Sequence, residues 1–337
     1  MTKLPTGAIP IADAALAELL AARLALVEER LRGVVSHADR LADSASRHLV
    51  NAGGKRLRPL LTLLAAQLGD GARPEVIDAA VVCELTHLAT LYHDDVMDSA
   101  PLRRGAPSAH EVWGNSVAIL TGDLLFARAS TTVAGLGPEA VRIQAATFER
   151  LCLGQLHETV GPAEGEDPVA HYLQVLSDKT GSLVATSGRF GAMFAGCPPE
   201  VVQVLTDFGE RVGVAFQLAD DVIDLSSDSA VTGKTPGTDL REGVPTMPVL
   251  LLRERAAASD ADPEDRALVE LLDGDLSSDE TLARAVAALR EHEVVQETRA
   301  LAQHWALEAK EILAPLPAGS VKDALVQFAD ALVDRAA

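Results

Sequence analysis

The chain has 337 residues, 48% apolar and only 3% aromatic, so it can bury a large core made mostly of aliphatic side chains. A formal net charge of −20, with no basic stripe, leaves nothing for a nucleic acid to follow and removes that class of partner. The three cysteines, Cys83, Cys152 and Cys197, are far apart and unpaired in spacing; they fit neither a disulfide framework nor a thiolate zinc site and read as small buried apolar residues.

In chain order, the N-terminal stretch lacks a basic segment leading into an unbroken apolar run, so no secretory leader is expected. No window of about 18 uncharged apolar residues appears, so no transmembrane segment is expected either, and a cytoplasmic protein follows. Alanine and leucine dominate and β-branched runs are short, which predicts an all-α fold. Helical periodicity is interrupted at Asn51–Gly54, Gly69–Gly71, Ser99–Pro107, Gly161–Gly165, Cys197–Pro199 and Leu225–Pro248. Pro74, Pro138 and Pro199 stand where a first helical turn tolerates proline. None of the breaks has the composition of an interdomain linker and no repeat is visible, so a single helical domain over residues 1–337 is expected. The acidic stretch Asp260–Glu280 reads as solvated surface around a short helix.

Two acidic strings carry the chemistry. LATLYHDDVMDSAPLRRG, residues 88–105, ends a long apolar helix and puts Asp94 and Asp98 on one helical face with Asp95 beside them. FQLADDVID, residues 216–224, repeats the pattern with Asp220, Asp221 and Asp224. Three like charges at a helix end repel unless cations neutralise them, and oxygen-only donors at this spacing suit a hard ion such as Mg²⁺. Basic residues appear where phosphate would need them: Lys55, Arg56 and Arg58 in GGKRLRP, Arg103 and Arg104 after the first acidic string, Lys179 with Thr180 expected to open a helix, and Lys234 in GKTPGTD. Guanidinium forks match phosphate oxygens, so the combination fits anionic phosphorylated substrates held through cations.

These strings, in order GGKRLRP, HDDVMDSAPLRRG, GDLLFARA, SDKTG, FQLADDVID and GKTPGTDLREG, resemble the trans-type polyprenyl diphosphate synthase family across residues 50–250. The resemblance implies an isoprenoid-synthase-type bundle of long helices around a deep central cavity, commonly a homodimer. It implies an enzyme that condenses an allylic diphosphate with isopentenyl diphosphate by ionisation, condensation and elimination. Asp94, Asp95, Asp98, Asp220, Asp221 and Asp224 would hold roughly three Mg²⁺ ions against the allylic diphosphate. Arg103, Lys179 and Lys234 would contact that diphosphate, with Thr180 and Gln217 near the reacting carbons. Lys55, Arg58, His87 and Arg104 would take the diphosphate of isopentenyl diphosphate. In one place the chain departs from the family's common EGK string: Val244 follows Glu242 and Gly243, and Arg241 is the nearest candidate to compensate.

Product length should follow the residues below Asp94 at about 5.4 Å per helical turn. Ala89 and Thr90 lie one turn down and Thr86 two turns down, all small, while Tyr92 should point elsewhere. The expectation is a medium- to long-chain all-trans product of about six to ten isoprene units. Shorter farnesyl or geranylgeranyl products, a terpene cyclase and a non-catalytic subunit of a heteromeric synthase are the competing readings. The second full Asp triplet and GGKRLRP oppose a cyclase, and the six retained aspartates oppose a non-catalytic subunit.

Overall fold

A computed structural model describes residues 2–3, 9–226 and 236–334, and within them the chain is a set of α-helices with two minimal hairpins. The helices are α1 (Ala14–Val34), α2 (Arg40–Asn51), α3 (Leu57–Ala65), α4 (Pro74–Met97), α5 (Ala109–Trp113), α6 (Asn115–Ala134) and α7 (Pro138–Val160). They continue with α8 (Pro168–Leu176), α9 (Ser182–Phe194), α10 (Pro199–Ser226), α11 (Thr238–Glu242), α12 (Met247–Ala257), α13 (Pro263–Leu272), α14 (Asp279–Glu291), α15 (Glu293–Ile312) and α16 (Ser320–Val333). Lys234 falls outside the described residues.

Local chemistry explains where several of these begin. Prolines 74, 138 and 199 open α4, α7 and α10, where the missing N–H would have no intrahelical partner. Asp13, Asp39 and Asp167 accept hydrogen bonds from backbone N–H groups of the first turns of α1, α2 and α8. The segment 102–107 forms a hairpin in which Leu102–Arg103 pairs with Ala106–Pro107. Its two-residue loop, Arg104 and Gly105, has both φ angles positive (55° and 77°), the signature of a type I′ turn. This turn presents the two arginines in opposite directions.

The core divides into two apolar clusters. One gathers α1, α3, α4, α6, α9 and α16 around Leu60, Leu63, Leu88, Phe190 and Phe328. The other gathers α8 and α12–α15 around Val222, Leu252 and Leu289. The long helix α10 belongs to both, giving Leu205, Phe208 and Val212 to the first and Val214, Leu218, Val222 and Leu225 to the second. Each fully buried large aliphatic or aromatic side chain contributes about 1.5–3 kcal/mol.

Among the described residues one helix, α6, is long and apolar enough to cross a membrane, although none was expected from the sequence. It carries Asp123 and Arg128 and lies along α4, with Ala118, Leu125 and Ala129 fully buried, as in a bundle helix.

The crossing of α9 and α10 is set by small residues. A Cβ on Gly209 would lie 2.6 Å from Ala185 Cα and 2.7 Å from the Val184 carbonyl, both backbone atoms that cannot step aside. Gly209→Ala should therefore lower stability by about 1–3 kcal/mol. Gly33→Ala, on a helix face with nothing within 4 Å, should be neutral or stabilising by up to about 1 kcal/mol. Thermal unfolding of the two variants checks the pair, and an unshifted midpoint for Gly209→Ala contradicts the packing.

Candidate functional site

Both acidic strings end long helices, α4 and α10, and in each the two adjacent aspartates face different ways. On α4, Asp95 is wholly buried and its Oδ1 accepts from Arg103 Nε at 2.6 Å, while Oδ2 is buried with no hydrogen-bond partner. Asp94 and Asp98, four apart, share the face that Asp95 leaves. Burial raises the Asp94 carboxyl to about 6; Lys179 opposes the rise and Asp98 adds to it. Asp98 is raised as well, burial first, with Lys179 and Arg103 pulling it down.

On α10, Asp221 is the inward member. It accepts from Tyr172 Oη at 2.9 and 3.1 Å and from the Met247 backbone N–H at 3.2 Å. Burial pushes its carboxyl well above the usual range in spite of these donors. Asp220 and Asp224 are half-buried on the neighbouring face.

One ion pair is coupled to groups at both helix ends. Lys179 Nζ donates to Glu158 Oε2 at 2.5 Å, joining the end of α7 to the turn between α8 and α9. Burial alone would lower the Lys179 ammonium, but Glu158 and then Asp94 and Asp98 outweigh it and the net shift is upward. The Glu158 charge is felt by Asp94 and Asp98 on one side and by Tyr172, the partner of Asp221, on the other. Next to Lys179, Thr180 Oγ1 lies 3.4 Å from Gln217 Oε1, on the turn of α10 before Asp220. Arg241 donates to Asp279 at 2.5 Å, and Val244 lines a small cavity with Glu158, His171 and Tyr172.

A second basic group lies between α2, α3 and α4. Arg58 Nε is buried without a hydrogen-bond partner, and burial lowers its guanidinium pKa. His87 is pushed well below its ordinary value by burial and by the charges of Arg58, Arg104, Arg103 and Arg56, so its imidazole is neutral among guanidiniums. Arg104 donates to the Leu49 carbonyl at 3.1 Å and to that of Gly53, and its guanidinium lies against Gly54, where any Cβ would stand 2.7 Å from its Cζ. Lys55 is exposed on the same loop. Arg56, whose φ of 49° is left-handed, turns the other way and bridges Glu84 at 2.8 Å and Glu28, pinning the loop to α4 and α1.

From Asp94 and Lys179 an apolar cavity of about 500 Å³ descends between α4, α6 and α7. Its walls are Thr90, His93, Met97, Ile119, Phe126, Phe148, Leu151, Cys152 and Leu156 among others. Phe126 and Phe148 approach with ring centroids 4.2 Å apart. Thr90 lines this space; Ala89 and Thr86 do not. Ala89, five residues before Asp94, is rotated about 140° from it and is fully buried with its carbonyl turned toward Gly122 of α6. Thr86 is buried with its hydroxyl on the Val82 carbonyl. Tyr92 is buried against α2, donating to the Ala45 carbonyl at 2.5 Å. Cys152 corrects an expectation: it is exposed on the cavity face of α7, while Cys83 is buried and Cys197 half-buried. Glu158, Tyr172 and Phe148 were not marked by any motif, since each is an isolated residue whose role comes from a neighbour distant in sequence, and Phe126 lies within GDLLFARA but was given no role there.

The donors fit a hard divalent ion. They are all oxygens, and Asp94 is strained toward its neutral form by burial. Among the described residues no three carboxylate, imidazole or thiolate groups are already gathered at ligating distance. A hard ion of this kind takes one or two carboxylates and completes its shell with water and substrate phosphate oxygens.

Comparison with known proteins gives a consistent result. A family model described as polyprenyl synthetase matches residues 39–289. A nonaprenyl diphosphate synthase of Mycobacterium tuberculosis is 45% identical over 330 residues, covering 97% of this chain and 96% of that protein. A dimethylallyltranstransferase of the same organism is 39% identical over 311 residues, covering 91% and 92%. The crystal structure of a polyprenyl synthase from Caulobacter crescentus, complexed with calcium and isoprenyl diphosphate, superposes with a TM-score of 0.86 at 33% identity, covering 96% of this chain and 97% of that one. A geranylgeranyl pyrophosphate synthase from Corynebacterium glutamicum, also with calcium and isoprenyl diphosphate, gives 0.84 at 42% identity, covering 97% and 99%.

The raised Asp94 carboxyl fixes the sign of a pH effect. Its folded value of about 6 exceeds the ordinary 3.8, so the folded metal-free chain binds more protons than the unfolded one in that window, and stability falls as pH rises from about 4 to about 6. A divalent ion that binds the ionised form should raise the melting temperature at pH 7.5 and far less at pH 5. Equal stabilisation at both values in thermal melts with and without Mg²⁺ contradicts the assignment.

Proposed function

Because the chain belongs to the polyprenyl synthetase family and is a prenyltransferase, we propose that it lengthens an allylic diphosphate with isopentenyl diphosphate to a medium- to long-chain all-trans polyprenyl diphosphate of about six to ten isoprene units. The observation that carries this reading is that Asp94 and Lys179 line a cavity whose other walls are mostly apolar. A charged diphosphate head is met by charge, and its hydrocarbon tail by aliphatic and aromatic walls.

In this reading Lys179 and Arg103 offset the charge that develops on the leaving diphosphate, with Lys234 expected to join them. Bound Mg²⁺, roughly three ions on Asp94, Asp98, Asp220 and Asp224, would supply the Lewis-acid part of that neutralisation. Asp95 and Asp221 hold Arg103 and the Tyr172–Met247 corner behind them. Arg58, Arg104 and Lys55 bind the second diphosphate, and neutral His87 donates or accepts a hydrogen bond there without adding charge. Apolar walls keep water from the allylic cation, so the isopentenyl double bond attacks it. The departing diphosphate accepts the proton lost in elimination, and no side-chain base is needed.

The whole chain acts as one cytoplasmic catalytic unit and works as a homodimer. The exposed Ile119 and Leu120 of α6 and Leu153 and Leu156 of α7 form the apolar face that a second copy would cover. One observation favours a shorter product: Phe126 and Phe148 stand together across the cavity, about two turns of α7 below Gln155.

Chromatography of products made from Mg²⁺, isopentenyl diphosphate and a set of allylic primers tests the reading. Asp94→Asn and Asp220→Asn should each lower kcat/KM by about a hundredfold or more, and chelation should abolish activity. Thr90→Phe should shorten the product, and Phe126→Ala should lengthen it if the aromatic pair sets the limit. A purified chain that elongates no primer overturns the reading.

A further inference from the structure

The residues that present Lys179 do not form an ordinary helix. Ser177–Gly181 is a π turn, closed by a hydrogen bond from the Ser182 N–H to the Ser177 carbonyl five residues back. Such turns widen the helix and are uncommon without tertiary support. Here that support comes chiefly from one side chain outside the turn, with Glu210 and Gln174 beside it. Arg150 of α7 donates through Nε to Asp178 Oδ1 at 2.7 Å, through Nη2 to Ser177 Oγ at 3.0 Å, and through Nη1 and Nη2 to the two oxygens of Glu210 on α10 at 3.0 and 2.5 Å. Ser177 Oγ also donates to Glu210, and Gln174 Nε2 holds the other oxygen of Asp178 at 2.8 Å. A planar fork with several donors is the side chain suited to bridging two carboxylates and a hydroxyl at once.

Arg150 also lies in register with the site. Arg150, Gly154 and Glu158 are four apart and form one stripe of α7. Arg150 grips the first residues of the turn. Gly154 lets its backbone close in, since a Cβ there would be 2.7 Å from the Lys179 nitrogen. Glu158 takes the Lys179 ammonium. The stripe therefore fixes the base, the backbone and the tip of one lysine.

We propose that Arg150 is a positioning residue: clamped to Asp178 and Glu210, it holds the π turn so that Lys179 and Thr180 are aimed at the allylic diphosphate. This rests on the reading of Asp94 and Lys179 as the allylic site. Without the clamp the turn relaxes toward regular helix, Lys179 rotates about the axis, and the isopentenyl pocket between α2, α3 and α4 is untouched.

Steady-state kinetics with each substrate varied in turn tests it, alongside circular dichroism and thermal melts. Arg150→Gln should raise KM for the allylic diphosphate by about tenfold or more while KM for isopentenyl diphosphate stays within about twofold. Arg150→Lys should recover only part of the loss, because an ammonium cannot span both carboxylates. In a Lys179→Ala background, Arg150→Gln should add less than about twofold, since its effect runs through a lysine already removed. Should Arg150→Gln fold poorly, Glu210→Gln keeps the side-chain volume and should show the same split between the two KM values. Equal changes in both KM values, a loss fully additive with Lys179→Ala, or a fall in melting temperature with unchanged kinetics overturns the proposal. If Lys179→Ala itself leaves the allylic KM unchanged, the reading of the site fails first, and the two failures are told apart.

Discussion

Carboxylates held partly out of water raise their own pKa values until something answers their charge, and the front of this molecule is arranged around carboxylates that the protein answers only in part. Asp94 sits at about 6 although Lys179 stands nearby, because burial outweighs the lysine. Lys179 cannot answer more fully, since it is already committed to Glu158. A hard divalent ion held by Asp94 and Asp98 would supply the remainder. A net charge of −20 sharpens the constraint, because anionic substrates approach such a surface only where cations have reversed its local sign.

The pairing of adjacent aspartates follows from helix geometry. Successive residues on a helix point about 100° apart, so of two neighbouring aspartates one can face into the protein while the other faces away from it. Asp95 and Asp221 are the inward members, and each is tied to a segment that is not helical or belongs to another helix: the Arg103 hairpin, and the Tyr172–Met247 corner. The inward carboxylates thus fasten the loops that surround the outward ones. The basic group between α2, α3 and α4 uses a different device. Arg56 is paired with Glu28 and Glu84, Arg104 donates to the Leu49 and Gly53 carbonyls, and burial together with the surrounding guanidiniums keeps His87 neutral.

Much of this was legible in the residues. The helices begin at Pro74, Pro138 and Pro199 because a proline nitrogen costs nothing in a first turn, and the breaks at Asn51–Gly54 and Gly161–Gly165 carry the left-handed glycines Gly53, Gly161 and Gly165. The acidic stretch after Asp260 contains the short helix α13 among largely exposed residues. The motifs singled out the charged residues as a group but could not say which way each points. Ala89 was taken for a wall of the tail cavity and is instead packed on α6, because the face that continues below Asp94 passes through Thr90. Cys152 was taken for a core residue, yet its place on α7 faces the cavity. In both cases the deciding fact is the rotation of one helix against its neighbours, which periodicity within a single helix does not encode.

The π turn at Ser177–Gly181 is the furthest from anything sequence periodicity can express. Nothing in SDKTG signals an extra residue in the helix, and the string alone is compatible with an unbroken run from Pro168 to Phe194. The turn exists because groups from α7 and α10 converge on it: the Arg150 fork, Glu210, and the absent side chain of Gly154. An unbroken helix would set Lys179 and Thr180 about 100° apart on a fixed register. The widened turn lets Lys179 reach Glu158 and the α4 carboxylates while Thr180 stays beside Gln217 on α10. A single inserted residue, stabilised from two other helices, is what allows one short segment to address both acidic helix ends.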